Sequence, residues 1–267
     1  MKAHYKIAGD QFLIVQYGER FSLRLNFEIL VLAHRMKMMK IRGVWGFKPA
    51  IHSILVHYDP FQISTEDLVA ELKRLESGRE DKKEALRSRL VRLPMVYGDR
   101  WTRACAEQNQ APPNLDFVAE HNRMSVEELV RTHSTSVFWV LYLGANPGLP
   151  VFVPIDPTKR ITTPKYRVPR VWTPLGTVGM GGILTTIYTI EAPGGFQMIG
   201  RTPLLIFDPE KRNPIFENDI SLFRPGDRIV FDPIDHEEFL DIEKNFSEYR
   251  YQIEEEEWTI NQFPNEG

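Results

Sequence analysis

The sequence predicts an α+β protein in which a small unit of mixed strands and helices precedes a larger β-rich unit. Up to about residue 78, the apolar patterns follow the order strand, strand, helix, strand, strand, helix, which suggests a compact sheet with two helices on one side. From residue 143 to about residue 236, the chain is rich in Pro and Gly, with short strands and no long helical pattern, as in a β-barrel or sandwich. These patterns place a boundary near residue 90 and predict domains at 1–90 and 91–267.

Local sequence patterns predict the helices and strands of the first unit. Apolar runs on either side of a Gly9-Asp10 turn signal predict a strand pair, and apolar residues spaced three and four apart predict the first helix. A second helix begins where Ser64 or Thr65 can act as its N-cap, with acidic residues in its first turn. In chain order, the predicted elements are a strand pair over 5–17, a helix over 25–40, strands over 45–50 and 53–58, and a helix over 64–76.

The second unit follows a highly charged segment, 77–92, which is either a basic binding patch or a solvated helical linker. Its mixed charges favour the linker. Ser125-Val126-Glu127-Glu128 is a capping-box pattern, and it opens a helix that ends near His133. The other predicted elements are a strand over 90–97, an irregular insertion over 100–124, a buried strand over 137–143, a helix over 236–247 and a strand over 249–253.

Composition excludes several classes of protein. The hydrophobic content of 42% is enough for a substantial core, and a formal net charge of −3 gives no general attraction to nucleic acid or to an anionic membrane. Cys105 is the single cysteine, so no internal disulfide can form, and this fits a reducing cytoplasm. No signal core follows Met1, and no apolar run approaches the roughly 20 residues that span a bilayer, so we expect a cytoplasmic protein.

A metal site is not expected. None of the seven histidines pairs with another at a helical ligand spacing. His52 and His57 are five residues apart, an odd number, so they face opposite sides of a regular strand. Cys105 lies in a polar stretch without a neighbouring motif, which favours an incidental thiol over a nucleophile.

A glycine-rich stretch is the first candidate for a functional surface. Glycine weakens strands, so a fold accepts many glycines where backbones turn tightly or approach a ligand or another backbone closely. The stretch has no Gly-Lys-Ser/Thr ending, and a β-branched segment follows it, so it does not match a phosphate-binding loop. Close backbone approach in a barrel is the favoured interpretation. The seven glycines are Gly176, Gly179, Gly181, Gly182, Gly194, Gly195 and Gly200.

Three side chains near these motifs have both a functional and a structural interpretation. Arg201 could bind a carboxylate or phosphate through two parallel hydrogen bonds from its guanidinium. Alternatively, it could clamp a carboxylate or carbonyls and so fix the barrel. Arg170 has the same ambiguity. His133 could transfer protons, or it could cap carbonyls at the end of its helix. A turn near these side chains, over 143–150, is likewise either a binding loop or a hairpin corner.

Taken together, several motifs resemble one family, that of the B subunit of 5-oxoprolinase, also called allophanate hydrolase subunit 1. The same family includes the carboxyltransferase segment of urea carboxylase and a sporulation-kinase inhibitor. The resemblance covers nearly the whole chain and implies an N-terminal ferredoxin-like subdomain followed by a cyclophilin-like β-barrel. The motifs that carry it are Gly9-Asp10, Pro49 to Pro60, Pro94 to Gly98, His133, the turn over 143–150, Gly176 to Gly179, Pro193 to Gly195, Gly200 to Pro203 and Arg224 to Phe231.

The resemblance also implies a function and partners. It implies a subunit of a two-component biotin-dependent carboxyltransferase, or of an ATP-dependent amidohydrolase, that acts on a urea-, amide- or lactam-like nitrogen. A homologous second barrel subunit, of the allophanate hydrolase subunit 2 type, would complete the site, with a biotin carboxylase and a biotin carrier as further partners. No cofactor would bind to this chain directly; carboxybiotin would arrive on the carrier, and ATP would act through a partner. The alternative is a histidine-kinase inhibitor that binds through its N-terminal subdomain.

In that family context, the candidate catalytic residues are Arg201, His133 and Tyr188, and backbone donors of the glycine stretch would stabilise an oxyanion. Two departures from the oxoprolinase pattern argue against 5-oxoproline as substrate, whereas the Val171 to Pro174 lead-in, the Gly181-Gly182 pair and the tail from Phe239 to Trp258 resemble the carboxyltransferase branch. Leu184-Thr185 replaces a Gln-Thr pair, and Ala145 and Leu149 replace aromatic residues of the earlier turn. The candidate substrate-binding residues are Gly176, Thr177, Gly179, Gly182, Thr185, Gly194, Gly195, Gln197 and Arg170.

Overall fold

A computed structural model describes residues 3–76 and 84–264 of the chain. It contains two compact units. The first comprises Met1–Ser88 and Glu256–Gly267, and the second comprises Arg89–Glu255. The α+β class predicted from the sequence is confirmed, since the first unit holds a four-stranded sheet with helices and the second holds a closed β-barrel.

The first unit is an antiparallel sheet covered on one face by two helices. Its strands are β1 (His4–Ile7), β2 (Phe12–Gln16), β3 (Val44–Pro49) and β4 (Ser53–Tyr58), and its helices are α1 (Leu23–Met39) and α2 (Thr65–Glu76). The strand order is β1-β2-β4-β3. Alternate residues of β2 and β4 pack against the apolar stripes of both helices, because side chains of a strand alternate between its two faces. The core formed in this way includes Leu13, Val15, Ile29, Leu32, Ile54, Val56, Leu68 and Leu72.

The segment over 256–264 belongs to this first unit, whereas the sequence prediction places it in the domain over 91–267. The ring of Phe263 lies 5.7 Å from the ring of Phe27 on α1 and 5.9 Å from the ring of Trp258. These aromatic contacts bury the C-terminal segment beside α1 and explain why Glu256 begins a segment of the first unit.

The second unit is built on a seven-stranded barrel. Its strands are β5 (Ala85–Tyr97), β6 (Phe138–Leu143), β7 (Pro150–Pro154), β8 (Thr177–Gly181), β9 (Leu184–Ile187), β10 (Gln197–Arg201) and β11 (Arg228–Pro233). They follow the order β10-β8-β9-β7-β6-β11-β5, and β10 pairs with β5 to close the barrel. An eighth strand, β12 (Gln252–Thr259), also pairs with β5. Closure removes the unpaired edges of these seven strands.

Apolar side chains fill the barrel, and four helices lie outside the strands. The helices are α3 (Arg100–Gln108), α4 (Asn114–His121), α5 (Val126–Ser134) and α6 (His236–Lys244). The capping box predicted for α5 is confirmed, with Ser125 and Glu128 each bonding the other's backbone N–H. Within the described ranges, no helix is long and apolar enough to cross a membrane. Buried core residues of the barrel include Val91, Leu93, Met95, Phe138, Phe152, Val178, Ile187, Ile199 and Phe231.

Two predictions for this region are wrong. The segment predicted as a helical linker lies partly outside the described residues, at 77–83, and the remainder forms the start of β5. Its charges are not simply solvated, because Arg89 pairs with Asp227 and Arg92 pairs with Asp232. The segment over 100–124, predicted to be irregular, contains α3 and α4 instead.

Of these helices, α3 has a side-chain cap, and α4 begins directly after a proline. The carboxylate of Asp99 accepts hydrogen bonds from the backbone N–H groups of Trp101 and Thr102, each at 3.0 Å, and so caps the N-terminus of α3. Pro113 directly precedes α4, where the absence of an N–H costs nothing. The prolines therefore start a helix here and do not interrupt one.

Candidate functional site

The glycine-rich stretch forms β8, β9, β10 and their connections, and three of its glycine N–H groups outside the strands already donate hydrogen bonds within the protein. Gly176 donates to the carbonyl of Tyr188 at 2.8 Å, and Gly182 donates to Thr163 at 2.7 Å. Gly194 donates to the carbonyl of Arg170 at 3.1 Å. These N–H groups hold the strands and loops together, so they do not face a ligand as the predicted oxyanion donors would.

Close approach explains why glycine is needed at three of these positions. A Cβ at Gly200 would lie 2.2 Å from the carbonyl oxygen of Val96, where β10 closes against β5. A Cβ at Gly176, which has a φ of +77°, would lie 2.5 Å from the carbonyl oxygen of Thr202. At Gly194 the obstacle is the hydroxyl of Tyr188, at 2.2 Å. The stretch therefore serves close backbone and side-chain approach in the barrel wall.

Arg201 lies on the outer wall of the barrel in an aromatic setting. It pairs with Val96 and Thr177 on the neighbouring strands, while the adjacent residues Met95 and Val178 point into the core. Its side chain is only 10% exposed. The guanidinium carbon lies 4.5 Å from the ring of Trp101 on α3. Arg201, which the sequence offered as either a ligand-binding residue or a structural clamp, thus lies in a buried aromatic environment.

One edge of the Arg201 guanidinium is fixed and the other is weakly held. Its Nε donates to the carbonyl of Leu175 at 2.9 Å, and its guanidinium carbon lies 5.2 Å from the ring of Phe239 on α6. Its Nη2 lies 3.7 Å from Oε1 of Glu243, an exposed carboxylate on α6. This distance is longer than a good charge-assisted hydrogen bond, so a ligand oxygen can compete for Nη2.

Burial and nearby carboxylates act on Arg201 in opposite directions. Desolvation lowers the pKa of Arg201, and the charges of Asp99, Glu243 and Glu191 oppose that effect. Arginine nevertheless remains protonated in proteins. The outer wall therefore carries a largely desolvated cation whose field is strong because water is excluded.

A second cluster surrounds Arg170, which is 1% exposed. Its Nη1 donates to the carbonyl of Phe196 at 2.8 Å, and its Nη2 donates to Oγ1 of Thr173 at 3.2 Å. Among the described residues, Nε of Arg170 has no hydrogen-bond partner. Burial raises the pKa of the Tyr188 phenol, and the positive charge of Arg170 opposes this shift. The structure thus brings the predicted residues Arg170, Tyr188 and Gly194 together.

A short segment connects the two clusters. Thr173 contacts Arg170, and the carbonyl of Leu175, two residues later, accepts from Arg201. Gln197 belongs to the same wall, since its side-chain amide donates to the carbonyl of Pro164 at 3.0 Å. The segment over 173–175 therefore contacts both predicted arginines, through the Thr173 hydroxyl and the Leu175 carbonyl.

His133 lies in the apolar interior. Its Nδ1 is 2.7 Å from the hydroxyl of Tyr97, and its ring lies 4.8 Å from the ring of Phe138 and 5.0 Å from that of Phe231. Burial lowers the pKa of His133 to about 3, so the imidazole is neutral at ordinary pH. Within the described part of the chain, it makes no hydrogen bond or ring contact with Arg201. Its role in proton transfer stays a prediction.

The remaining predicted substrate residues are dispersed. Thr177 pairs with Arg201, and its buried hydroxyl has no hydrogen-bond partner among the described residues. Thr185 is opposite the core residue Met180, so its hydroxyl points into the barrel. Of the three glycines, Gly182 is exposed in the β8–β9 turn, and a Cβ at Gly195 would meet no atom closer than 3.9 Å. Gly179 packs beside Phe196 in β8.

Sequence reasoning missed Trp101 and did not assign a site role to Phe239 and Glu243. Asp99 is a possible N-cap residue, and Trp101 lies two residues after it. These two residues could have predicted a helix with an aromatic side chain in its first turn. Phe239 and Glu243 are four residues apart on a predicted helix, so their shared face was also readable.

Comparisons with known proteins agree on one family. The family model of the carboxyltransferase domain, subdomain C and D, matches residues 3–216. The urea amidolyase of Lachancea kluyveri is 32% identical over 249 residues, which cover 89% of this chain and 14% of that protein. The B subunit of 5-oxoprolinase from Bacillus subtilis (strain 168) is 30% identical over 250 residues, which cover 90% of this chain and 97% of that protein.

A solved structure extends this similarity to the fold. The crystal structure of the K. lactis urea amidolyase matches 97% of this chain and 16% of its own chain, with a TM-score of 0.87 at 29% identity. The chain thus spans about one seventh of the length of the Lachancea kluyveri urea amidolyase that it matches, and nearly the whole length of the Bacillus subtilis protein.

Proposed function

The chain belongs to the family of carboxyltransferase domains, subdomains C and D, and from this membership we propose that it is one subunit of an enzyme that processes a urea-, amide- or lactam-like substrate. The observation that carries the proposal is the Arg201 guanidinium, which is desolvated on the outer barrel wall and whose Nη2 has the exposed Glu243, at 3.7 Å, as its one carboxylate neighbour among residues 3–76 and 84–264. A carboxylate or carbonyl oxygen of the substrate would replace Glu243 there.

The surroundings of Arg201 suit it to orient such an oxygen. The bond to Leu175 and the rings of Trp101 and Phe239 restrict the guanidinium plane before any ligand binds. A pre-oriented donor avoids reorganisation when negative charge develops on the ligand, and the exclusion of water strengthens the interaction. In the carboxyltransferase version of the proposal, the carboxyl group leaves its donor and bonds to the substrate nitrogen, and the proton of that nitrogen passes to the donor in exchange. The negative charge then lies on the transferred carboxyl group.

The residues of this chain do not by themselves fit carboxybiotin. Among the predicted site residues that the structure describes, the buried side-chain atoms without a hydrogen-bond partner are His133 Nε2, Arg170 Nε, Thr177 Oγ1 and Thr185 Oγ1. A bicyclic ureido ring needs a cleft with several converging donors. We therefore assign no step through biotin to this chain, and the proposal places the carboxyl donor on a surface shared with a second barrel subunit.

Partners of this kind are in keeping with the relatives. The Bacillus subtilis protein, which this chain matches over nearly its whole length, is named as a subunit. The proposed assembly contains a homologous second barrel subunit, with a biotin carboxylase and carrier, or an ATP-using partner, supplying the activated group. The kinase-inhibitor alternative stays a prediction, because neither relative described above is named for such a role.

The proposal is tested by reconstitution. The full chain, a homologous second barrel subunit and a carboxylated biotin carrier are mixed, and transfer of labelled carboxyl to urea or to a lactam is measured, with ATP-dependent lactam opening measured in parallel. Arg201→Ala should lower kcat/KM by about 100-fold or more, the effect typical of removing one preorganised donor. Arg201→Lys should retain an intermediate activity, since it keeps the charge but loses the planar fork.

Arg224 provides the matched control. It also lies 3.7 Å from a carboxylate, that of Asp219, but its side chain is exposed. Arg224→Ala should leave turnover within about twofold of the wild type, because exposed pairs contribute little. Folding of each variant is checked by thermal unfolding. Turnover of folded Arg201→Ala equal to the wild type would remove Arg201 from the site, and no turnover by the wild-type mixture on either substrate class would refute the proposed function.

A further inference from the structure

A surface loop next to the Arg170 cluster exposes apolar side chains to an unusual degree. The loop, which we call the arm loop, comprises residues 164–172, between β7 and β8. Val168 is 76% exposed and Val171 is 79% exposed. Single exposed apolar residues are common. Two within four positions of one loop form a local apolar patch, and such patches occur at interaction sites.

The arm loop is anchored at several points. Tyr166 donates its backbone N–H to Gly195 at 2.7 Å, and its hydroxyl bonds the side chain of Asn114. Arg170 exchanges two backbone hydrogen bonds with Gly194, at 2.9 and 3.1 Å. The inward residues are therefore fixed, and the outward valines are presented on an ordered backbone. Such preorganisation reduces the entropic cost of binding.

The exposed part of the arm loop is also cationic. Lys165 and Arg167 are exposed, and neither forms an ion pair with a carboxylate in residues 3–76 or 84–264. The Nζ of Lys165 lies 4.8 Å from the centre of the Phe196 ring. The chain as a whole carries a net charge of −3, so this patch is locally opposite to the average surface. An apolar pair flanked by unpaired cations complements an apolar surface rimmed with carboxylates.

We propose that the arm loop is the docking surface for an acidic, apolar patch on a second protein subunit. This rests on the proposed function, and it names the part of the chain that holds the partner. Two cations are too few for nucleic-acid binding by an otherwise acidic chain. The two valines would form the buried centre of a larger interface, with Lys165 and Arg167 at its rim.

The position of the arm loop links docking to the site. Its anchors, Arg170 and Gly194, belong to the cluster with Tyr188, and Thr173 and Leu175 follow directly in the chain. A subunit seated on the valines would therefore lie against the part of the barrel wall that bears the predicted substrate residues.

The experiment uses isothermal titration calorimetry to measure how the full chain binds the purified homologous second barrel subunit. Val168→Asp combined with Val171→Asp should raise the Kd at least 100-fold, because both positions would then place charge in the interface centre. Arg167→Glu should raise the Kd about 10-fold at low salt and less at high salt. Ile7→Asp is the matched control, because Ile7 is 70% exposed but lies in the first unit, and its Kd should stay within twofold.

The outcomes are distinguishable. If the wild type binds and the valine variants bind equally well, the arm loop is not the docking surface, whereas the proposed function stands. If the wild type does not bind the second barrel subunit, the proposed assembly and the inference both fail. Sedimentation that shows a wild-type dimer, made monomeric by the valine changes, would assign the loop to a second copy of this chain and overturn the inference. Protection of residues 165–171 from hydrogen exchange on complex formation is the supporting second measurement.

Discussion

Replacing Gly200 by alanine should destabilise the barrel at the point where it closes. The added Cβ would lie 2.2 Å from the carbonyl oxygen of Val96, 2.8 Å from Cε of Met95 and 3.0 Å from Cα of Tyr97. The side chain of Met95 can move, but the other two obstacles are backbone atoms of β5. The clash therefore has to be relieved by separating β10 from β5 by about 1 Å, since carbon–oxygen contacts below about 3 Å are strongly repulsive.

The cost can be worked out from that separation. Overpacking in a well-packed region costs about 1–3 kcal/mol, and backbone obstacles put this site at the upper end. Strand β10 meets β5 at only two register pairs, so a shift there also weakens the adjacent bond from Gly98 to the carbonyl of Ile199, worth about 1 kcal/mol. The expected loss in the free energy of unfolding is therefore about 3–4 kcal/mol. That corresponds to a decrease in Tm of about 6–16 °C for a domain of this size.

The assay is urea unfolding followed by circular dichroism, with calorimetry for Tm. Gly195→Ala is the matched control from the same glycine-rich stretch, because its Cβ would meet nothing closer than 3.9 Å. It should change the free energy of unfolding by no more than about 0.5 kcal/mol. A Gly200→Ala protein as stable as the Gly195→Ala protein would refute the idea that close approach to β5 is why glycine occupies position 200.

Two further predictions concern buried titratable groups. The pKa of His133 is lowered from 6.5 to about 3 in the folded protein, so its contribution to stability is complete above pH 6.5 and is lost as the pH falls towards 3. His133→Gln should reduce the slope of unfolding free energy against pH in that window by up to about 1.4 kcal/mol per pH unit, and identical slopes in urea titrations would contradict the buried, neutral imidazole. Cys105 is buried, and burial raises the pKa of its thiol, so a thiol reagent should react at least 100-fold more slowly than with a free thiol until urea unfolds the protein. Immediate labelling of the native protein would show that Cys105 is accessible.

Elements with a self-contained local signal could be predicted from the sequence. The helix α5 carries its capping box in four consecutive residues, and α1 carries its apolar stripe within its own length. The start of β5 could not be predicted in this way, because the arginines in this charged segment are typical of a solvent-exposed helical linker. Their partners, Asp227 and Asp232, lie 138 and 140 residues further along the chain, and no local pattern contains that pairing.

The candidate site was predictable only in part, for a similar reason. The concentration of glycine before Arg201 correctly indicated close approach in the barrel wall, since the steric need is a property of each position. The environment of Arg201 depends on Trp101 from α3 and Glu243 from α6, which the fold brings together from far apart. The glycine pattern also does not show which N–H groups stay free for a ligand, because hydrogen bonding within the wall depends on strand register and uses the N–H groups of Gly176, Gly182 and Gly194.

The closing strand β5 has a consequence for how the chain is made. It pairs in parallel with β11 and antiparallel with β10, and both of these strands are synthesised much later. A nascent chain therefore presents the inner face of β5, with Val91 and Leu93, to solvent until β10 and β11 have emerged from the ribosome. Barrel closure is thus a late, long-range event, and the interval before it is when exposed apolar surface favours aggregation most.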